Sequence, residues 1–213
     1  MANDGTGESF VESVVLRMLA IGIDGFGPFE SAQTVATQAI SEHGNQERAI
    51  AAVVSGHLRL ASANGFATGL GGLVTLVVAL PVNVIVFSTV AARMAAAIAA
   101  IRGHDLDDPA TRTAVLLTLT GNRASELLTK AGVSAPGGRV TASALKRLPS
   151  SSLAFINKGV AFRLLTRILG RGISRFGRLV PLAGGVVGAT IDRALLRSIA
   201  RTARKELTVR SVS

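Results

Sequence analysis

Apolar residues recur every three or four positions along most of the chain, a spacing that predicts amphipathic helices rather than strands. Glycine, proline and short polar runs separate these apolar stretches. We therefore predict helices over residues 8–21, 31–43, 46–61, 65–80, 81–101, 109–119, 123–131, 141–148, 151–176 and 186–207. The expected fold class is all-α: a compact multi-helix bundle, with a central apolar helical hairpin and two basic amphipathic C-terminal helices. A single domain is expected over 1–213, and residues 133–139 are the one candidate for a subdomain boundary.

The central hairpin is predicted because residues 60–92 contain no charged side chain. Pro81 favours a helix start, which divides the apolar stretch into two helices. At 1.5 Å per residue the first is roughly 24 Å long, too short for a bilayer core of roughly 30 Å. The second is long enough, but it contains Arg93, whose insertion costs about 3 kcal/mol. We expect a buried or half-inserted hairpin with apolar positions at Leu73, Leu76, Val77, Leu80, Pro81, Val84, Ile85 and Phe87.

Charge is distributed unevenly between the two parts of the chain. The net charge is +10, but residues 1–138 carry 8 basic and 11 acidic side chains, whereas residues 139–213 carry 15 basic side chains and only two acids, Asp192 and Glu206. A polycationic segment of this kind binds polyanions, either nucleic acid or the anionic leaflet of a membrane. Composition alone leaves both partners open.

The basic residues of the C-terminal part follow a helical period. Residues four apart lie on the same side of a helix, and like charges at this spacing repel by a few tenths of a kcal/mol. A solvated surface is the simpler interpretation, but the near absence of acids favours an anionic partner. The basic positions are Arg163, Arg167, Arg171 and Arg175 in the first helix, Arg193, Arg197, Arg201 and Lys205 in the second, with Arg178 and Arg204 beside them.

The composition and the motifs exclude several kinds of chemistry. The absence of cysteine excludes disulfides, thiolate metal sites and cysteine nucleophiles. All eight aromatic residues are phenylalanine, so a tyrosine and tryptophan belt at a membrane interface is absent. No nucleotide-binding or hydrolase motif occurs, we expect no cofactor, and a non-enzymatic protein is favoured.

A few polar residues still require an interpretation. The set His104, Asp105, Asp107 and Asp108 has the ligand types of a divalent metal site, so a metal-dependent hydrolase is an alternative. The favoured interpretation of these residues is a polar turn in which Asp108 caps the helix that Pro109 begins. His43 and His57 are expected at the surface or as caps, and Asp192 is expected to pair with Arg178 or Arg193.

The order and spacing of the glycine, proline and alanine motifs over residues 65–207 resemble the EcsC family of bacterial proteins. The chain departs from many relatives at Arg102, where they have an aromatic residue before the glycine of a Gly-His-Asp turn. The positions that carry the resemblance are Pro81, Gly103, Asp105, Asp108, Pro109, Arg112, Pro181, Gly184, Gly188 and Asp192.

The resemblance implies an all-helical protein in a membrane setting. The family takes its name from a protein encoded beside the ATPase and membrane subunits of an ABC exporter, and it has no firmly established molecular activity or catalytic residues to transfer. The N-terminal residues lack the basic and apolar regions of a secretory signal, so we expect a cytoplasmic protein.

The expected function is therefore peripheral association with the inner face of the cell membrane, through anionic lipid or an integral membrane protein. The basic helices and the apolar hairpin both lead to this expectation. A nucleic-acid-binding protein that uses the same arginines is the second hypothesis. Self-association through Gly184 and Gly188 also remains open.

Overall fold

Helices account for all of the regular secondary structure in the residues described by the computed structural model, which are 5–70, 72–120, 124–130, 142–175 and 181–209. Within these ranges, the side chains are not described at 5–12, 14–15, 63–70, 72–85, 125, 142–143, 165, 167–175 and 181–188. The helices are α1 (Gly5–Asp24), α2 (Ala32–His43), α3 (Gln46–Leu70), α4 (Gly72–Ile101), α5 (Pro109–Leu119), α6 (Ala124–Lys130), α7 (Ala142–Leu145), α8 (Ser150–Arg175) and α9 (Pro181–Glu206). The predicted all-α class is confirmed.

Capping residues set several helix ends as their sequence predicts. The Ser31 side chain accepts a hydrogen bond from the Thr34 amide at the start of α2. Gly44 ends that helix with a φ of 61°, a left-handed conformation that glycine adopts without strain, and its amide donates to the Ile40 carbonyl. Asp108 caps α5 ahead of Pro109.

The predicted break at Pro81 is wrong. Helix α3 continues to Leu70, and α4 begins at Gly72 and runs through Pro81. Proline costs about 3 kcal/mol in a helix interior and glycine about 1 kcal/mol, so local propensity favours a break at Pro81 that the structure does not have. The ends of the two described helices lie among the glycines at 69, 71 and 72. The predicted start of the last helix at residue 186 is also wrong, because α9 begins at Pro181, the position that proline favours.

The C-terminal half of α4 forms the centre of the bundle. Its residues from Val90 to Ile101 are buried, apart from Arg93 and Ala100, and most of them are alanine. The helix contacts α1, α2, α3, α5, α8 and α9. Short side chains allow these neighbours to approach closely, as at Gly22 of α1, where a Cβ would overlap the Thr89 carbonyl. The C-terminal half of the predicted second hairpin helix therefore lies in the protein core.

The predicted apolar hairpin extends beyond the side chains that the structure describes. Phe87 is half-buried and packs against the core. The side chains at Leu73, Leu76, Val77, Leu80, Pro81, Val84 and Ile85, and the candidate boundary at 133–139, lie outside the described residues. Among the described residues, no helix combines the length and the apolar character needed to span a bilayer.

Candidate functional site

Helix α9 presents four basic side chains on one exposed surface, which we call the α9 cationic face: Arg193, Arg197, Arg201 and Lys205. Their spacing of four residues aligns them along the helix. The opposite side carries Leu196, Ile199, Ala203 and Leu207, which are buried where α9 packs along α3. Burial of this apolar stripe turns the four basic side chains toward solvent.

No compensating carboxylate reaches the α9 cationic face within the described residues. None of its four members forms an ion pair there. The exposed positions between them carry only neutral side chains, such as Ala194 and Ser198. Two exposed apolar residues, Ile191 and Val209, precede and follow these four residues in the chain. Ile191 lies on another side of the helix, because it is only two residues from Arg193.

Helix α8 differs from the expected basic stripe. Arg163 is half-buried and donates from Nη2 to Glu126 Oε2 at 2.9 Å, so its charge is paired within the molecule. Helix α8 exposes two large apolar side chains among its described residues, Phe155 and Phe162, which are seven residues apart and each 53% exposed. The side chains of Arg167, Arg171 and Arg175, and all of Arg178, lie outside the described residues.

Arg204 lies beside the α9 cationic face, three residues after Arg201, and contacts a carboxylate of another helix. Its Nη2 lies 3.9 Å from Glu47 Oε2 in the first turn of α3, and Glu47 Oε1 accepts a hydrogen bond of 2.8 Å from Arg102 at the end of α4. The sequence suggests no such cluster, because the three residues are far apart in the chain. Only the packing of α3, α4 and α9 brings them together.

Asp192 does not form the predicted ion pair with Arg193. That arginine is exposed, and the buried Oδ2 of Asp192 has no hydrogen-bond partner within the described part of the chain. Burial raises the pKa of the Asp192 carboxyl to about 6. The predicted partner Arg178 lies outside the described residues.

The turn from Gly103 to Asp108 is a structural turn, and its side chains are directed to separate partners. His104 Nε2 lies 2.7 Å from the Thr208 carbonyl, and Asp105 Oδ1 accepts from the Asp107 amide at 2.9 Å. Asp107 lies 3.7 Å from Arg112. No group of residues arranged to hold a metal ion occurs among the side chains described. The metal-dependent hydrolase alternative therefore has no support from this geometry.

Asp108 caps α5 and also forms an ion pair with Lys146, the residue that follows α7. Its Oδ1 accepts from the Ala110 amide at 3.0 Å, and its Oδ2 lies 2.9 Å from Lys146 Nζ. Burial alone would raise the pKa of Asp108, but the hydrogen bonds from Lys146 and Ala110 outweigh it and hold the pKa below its usual range.

Arg112 joins the turn to α1. It donates to both carboxylate oxygens of Asp24, with a bond of 2.9 Å from Nη1 to Oδ2, and its Nε donates to the Leu106 carbonyl at 2.7 Å. These hydrogen bonds with Asp24 raise the pKa of Arg112. The family-motif residues Asp108 and Arg112 thus hold helices together, while Pro181, Gly184 and Gly188 have side-chain surroundings that are not described.

The buried His57 and the half-buried Arg93 form a polar pair that the sequence does not indicate. His57 lies in the middle of α3 and is buried, so its predicted surface position is wrong. Its Nδ1 lies 2.8 Å from the Val53 carbonyl, and Arg93 Nε donates to its Nε2 at 3.2 Å. The Arg93 guanidinium also stacks 4.6 Å from the centre of the Phe29 ring. Burial lowers the pKa of Arg93, opposed by the nearby Glu30 carboxylate.

These features define an all-α protein whose last helix carries an exposed basic surface. Comparison with models of known protein families matches residues 29–212 to the EcsC protein family, so the chain belongs to the EcsC family. The resemblance over residues 65–207 is thereby confirmed and extended toward the N-terminus. Neither the curated proteins nor the solved structures give a match.

Proposed function

We propose that this EcsC family member is a peripheral membrane protein of the cytoplasmic face and that the α9 cationic face binds anionic lipid headgroups. One observation carries the proposal: four cations lie exposed at a spacing of four residues and have no ion-pair partner within the described part of the chain. Each basic residue near an anionic membrane contributes about 1 kcal/mol of binding free energy.

Two exposed apolar residues that flank the α9 cationic face in the chain support a membrane over nucleic acid as the partner. Ile191 and Val209 can enter the headgroup region while the arginines remain at the phosphates. A nucleic-acid backbone offers no apolar layer to bury them. The family's naming after a protein encoded beside an exporter further supports a setting near integral membrane proteins.

The direct test compares two triple variants of equal charge in sedimentation with phosphatidylglycerol-containing vesicles. The first is Arg193→Gln, Arg197→Gln and Arg201→Gln. The control is Arg17→Gln, Lys130→Gln and Arg147→Gln, which removes three exposed basic residues from other parts of the molecule. We expect the first variant to bind about 100-fold more weakly than the wild type, since three contributions of about 1 kcal/mol are lost, and the control to bind nearly as tightly.

Equal losses in the two triple variants would contradict the proposal, because binding would then follow net charge rather than the α9 cationic face. A second arm measures binding to duplex DNA at matched salt. Tighter binding to DNA than to vesicles, with the same dependence on Arg193, Arg197 and Arg201, would favour the nucleic-acid hypothesis.

A further inference from the structure

Three helix ends meet at a single carboxylate on one end of the bundle. Glu47 lies in the first turn of α3, Arg102 follows the last residue of α4, and Arg204 lies in the last turn of α9. Arg102 Nη2 donates to Glu47 Oε1 at 2.8 Å, and Arg204 Nη2 lies 3.9 Å from Glu47 Oε2. Two guanidinium groups thus share one negative charge, and the cluster has an excess positive charge.

Both arginines leave part of their hydrogen-bonding edge unused. The Nε atoms of Arg102 and Arg204 are buried, and neither has a hydrogen-bond partner among the residues that the structure describes. Nε and one Nη of a guanidinium form the fork that binds two oxygens of a carboxylate or phosphate. In each arginine, Glu47 engages only an Nη atom. An oxyanion with more oxygens would satisfy donors that a single carboxylate leaves unpaired.

The carboxylate is the most exposed member of the cluster. The Arg102 and Arg204 side chains are 12% and 39% exposed, whereas that of Glu47 is 63% exposed. Next to Arg102, the His104 ring lies 2.7 Å from the Thr208 carbonyl and joins the segment after α9 to the turn after α4. Glu47 is therefore the member of the cluster that can move into solvent most easily.

We propose that Arg102 and Arg204 form a binding site for a phosphate-class oxyanion and that Glu47 is its internal competitor. A phosphate has the charge and the number of oxygens to bridge both guanidinium groups after Glu47 leaves. Inorganic phosphate and the phosphomonoester headgroup of a lipid share this chemistry. The site adjoins the α9 cationic face, since Arg204 is three residues from Arg201, but none of its three residues is a member of that face.

The test measures inorganic phosphate binding by calorimetry at constant ionic strength. We expect Glu47→Gln to bind phosphate at least about tenfold more tightly than the wild type, because a carboxylate beside a bound phosphate is repulsive. The control Glu42→Gln removes an exposed carboxylate on α2 and should leave binding unchanged. We expect Arg102→Gln and Arg204→Gln, each placed in the Glu47→Gln background, to lose at least about tenfold in affinity. The control in that background is Arg59→Gln, an exposed position of α3.

Phosphate affinity that is equal in Glu47→Gln and Glu42→Gln would overturn the proposal, as would full affinity after Arg204→Gln. If Arg102→Gln does not fold because it removes a mostly buried side chain, Arg204→Gln still tests whether the arginines bind phosphate. Vesicles that contain phosphatidic acid distinguish the two sources of phosphate. If the Glu47→Gln variant binds these vesicles more tightly than the wild type and inorganic phosphate displaces it, the lipid headgroup is the ligand. Tighter binding in solution with unchanged vesicle binding assigns free phosphate.

Discussion

His57 is the clearest case of a single residue whose surroundings set its chemistry. Burial lowers its pKa from 6.5 to about 4, the contact with the Val53 carbonyl opposes the shift, and the Arg93 charge adds to it. The ring therefore stays neutral over the physiological range, with Nδ1 as donor to Val53 and Nε2 as acceptor from Arg93. A neutral histidine allows the Arg93 charge to lie beside it.

We predict that His57 makes the fold less stable as the pH falls from about 6.5 to about 4. The unfolded chain takes up a proton at the ordinary pKa, and the folded protein does so only near the lowered value. A difference of this size amounts to about 3 kcal/mol at pH 4. Urea unfolding of the wild type and His57→Gln across this range should show a smaller loss in the variant. The exposed His43→Gln is the control, and an equal pH dependence in all three proteins would contradict the assignment.

Asp192 should have the opposite pH dependence. Burial raises its folded pKa to about 6, so the unfolded chain ionises first and stability falls as the pH rises from about 4 to about 6. Asp192→Asn should therefore stabilise the fold at pH 7.5, by about 1–2 kcal/mol once solvent screening of this partly exposed group is counted. It should change little at pH 4. Thermal unfolding at the two pH values measures the difference, and a destabilised variant at pH 7.5 would mean that the charged carboxylate has a partner.

At the scale of elements, the packing of α1 on α4 depends on the absence of a side chain at Gly22. A Cβ there would overlap the Thr89 carbonyl and lie 3.1 Å from the Cβ of Ala92. Gly22→Ala should therefore destabilise the fold by about 1–3 kcal/mol, since α1 must move away from the core.

The matched control for Gly22→Ala is Gly56→Ala in α3, where an added Cβ meets nothing within 4 Å. That substitution should stabilise the fold by up to about 1 kcal/mol, because alanine is the better helix former. Denaturant unfolding of the two variants provides the comparison. Equal effects of the two substitutions would show that α1 does not pack closely against α4 at this position.

The sequence predicts the elements well where the determinant is local. Ser31, Gly44 and the Asp108-Pro109 pair act on backbone groups within four residues of themselves, so their helix ends are readable from a short stretch of sequence. At Pro81 the local propensity favours a break, and the sequence does not indicate that α4 continues through this residue. The candidate site is only partly predictable for a different reason. Exposure of Arg197 follows from helical periodicity, whereas the contacts of Arg163 with Glu126, and of Arg102 and Arg204 with Glu47, depend on how distant helices pack.

At the scale of the whole molecule, the fold separates an alanine-rich core from a basic surface. The alanine-rich half of α4 lies at the centre, and α9 packs on α3 and α4 with its basic residues directed outward. Polar residues that lie nearer the core, such as Arg93 and Arg112, are matched with partners inside the molecule. The α9 cationic face groups four exposed charges on one helix, and none of them forms an ion pair within the described residues.

The most direct test of the proposed function is sedimentation of the wild-type protein with vesicles at low and high salt. Neutral vesicles are compared with anionic ones at roughly 0.1 M and roughly 1 M salt, where the Debye length falls from about 10 Å to about 3 Å. Exposed charges are strongly screened at the higher concentration. The account predicts binding to anionic vesicles alone, lost at high salt. Salt-resistant binding to both kinds of vesicle, or binding to neither, would contradict it.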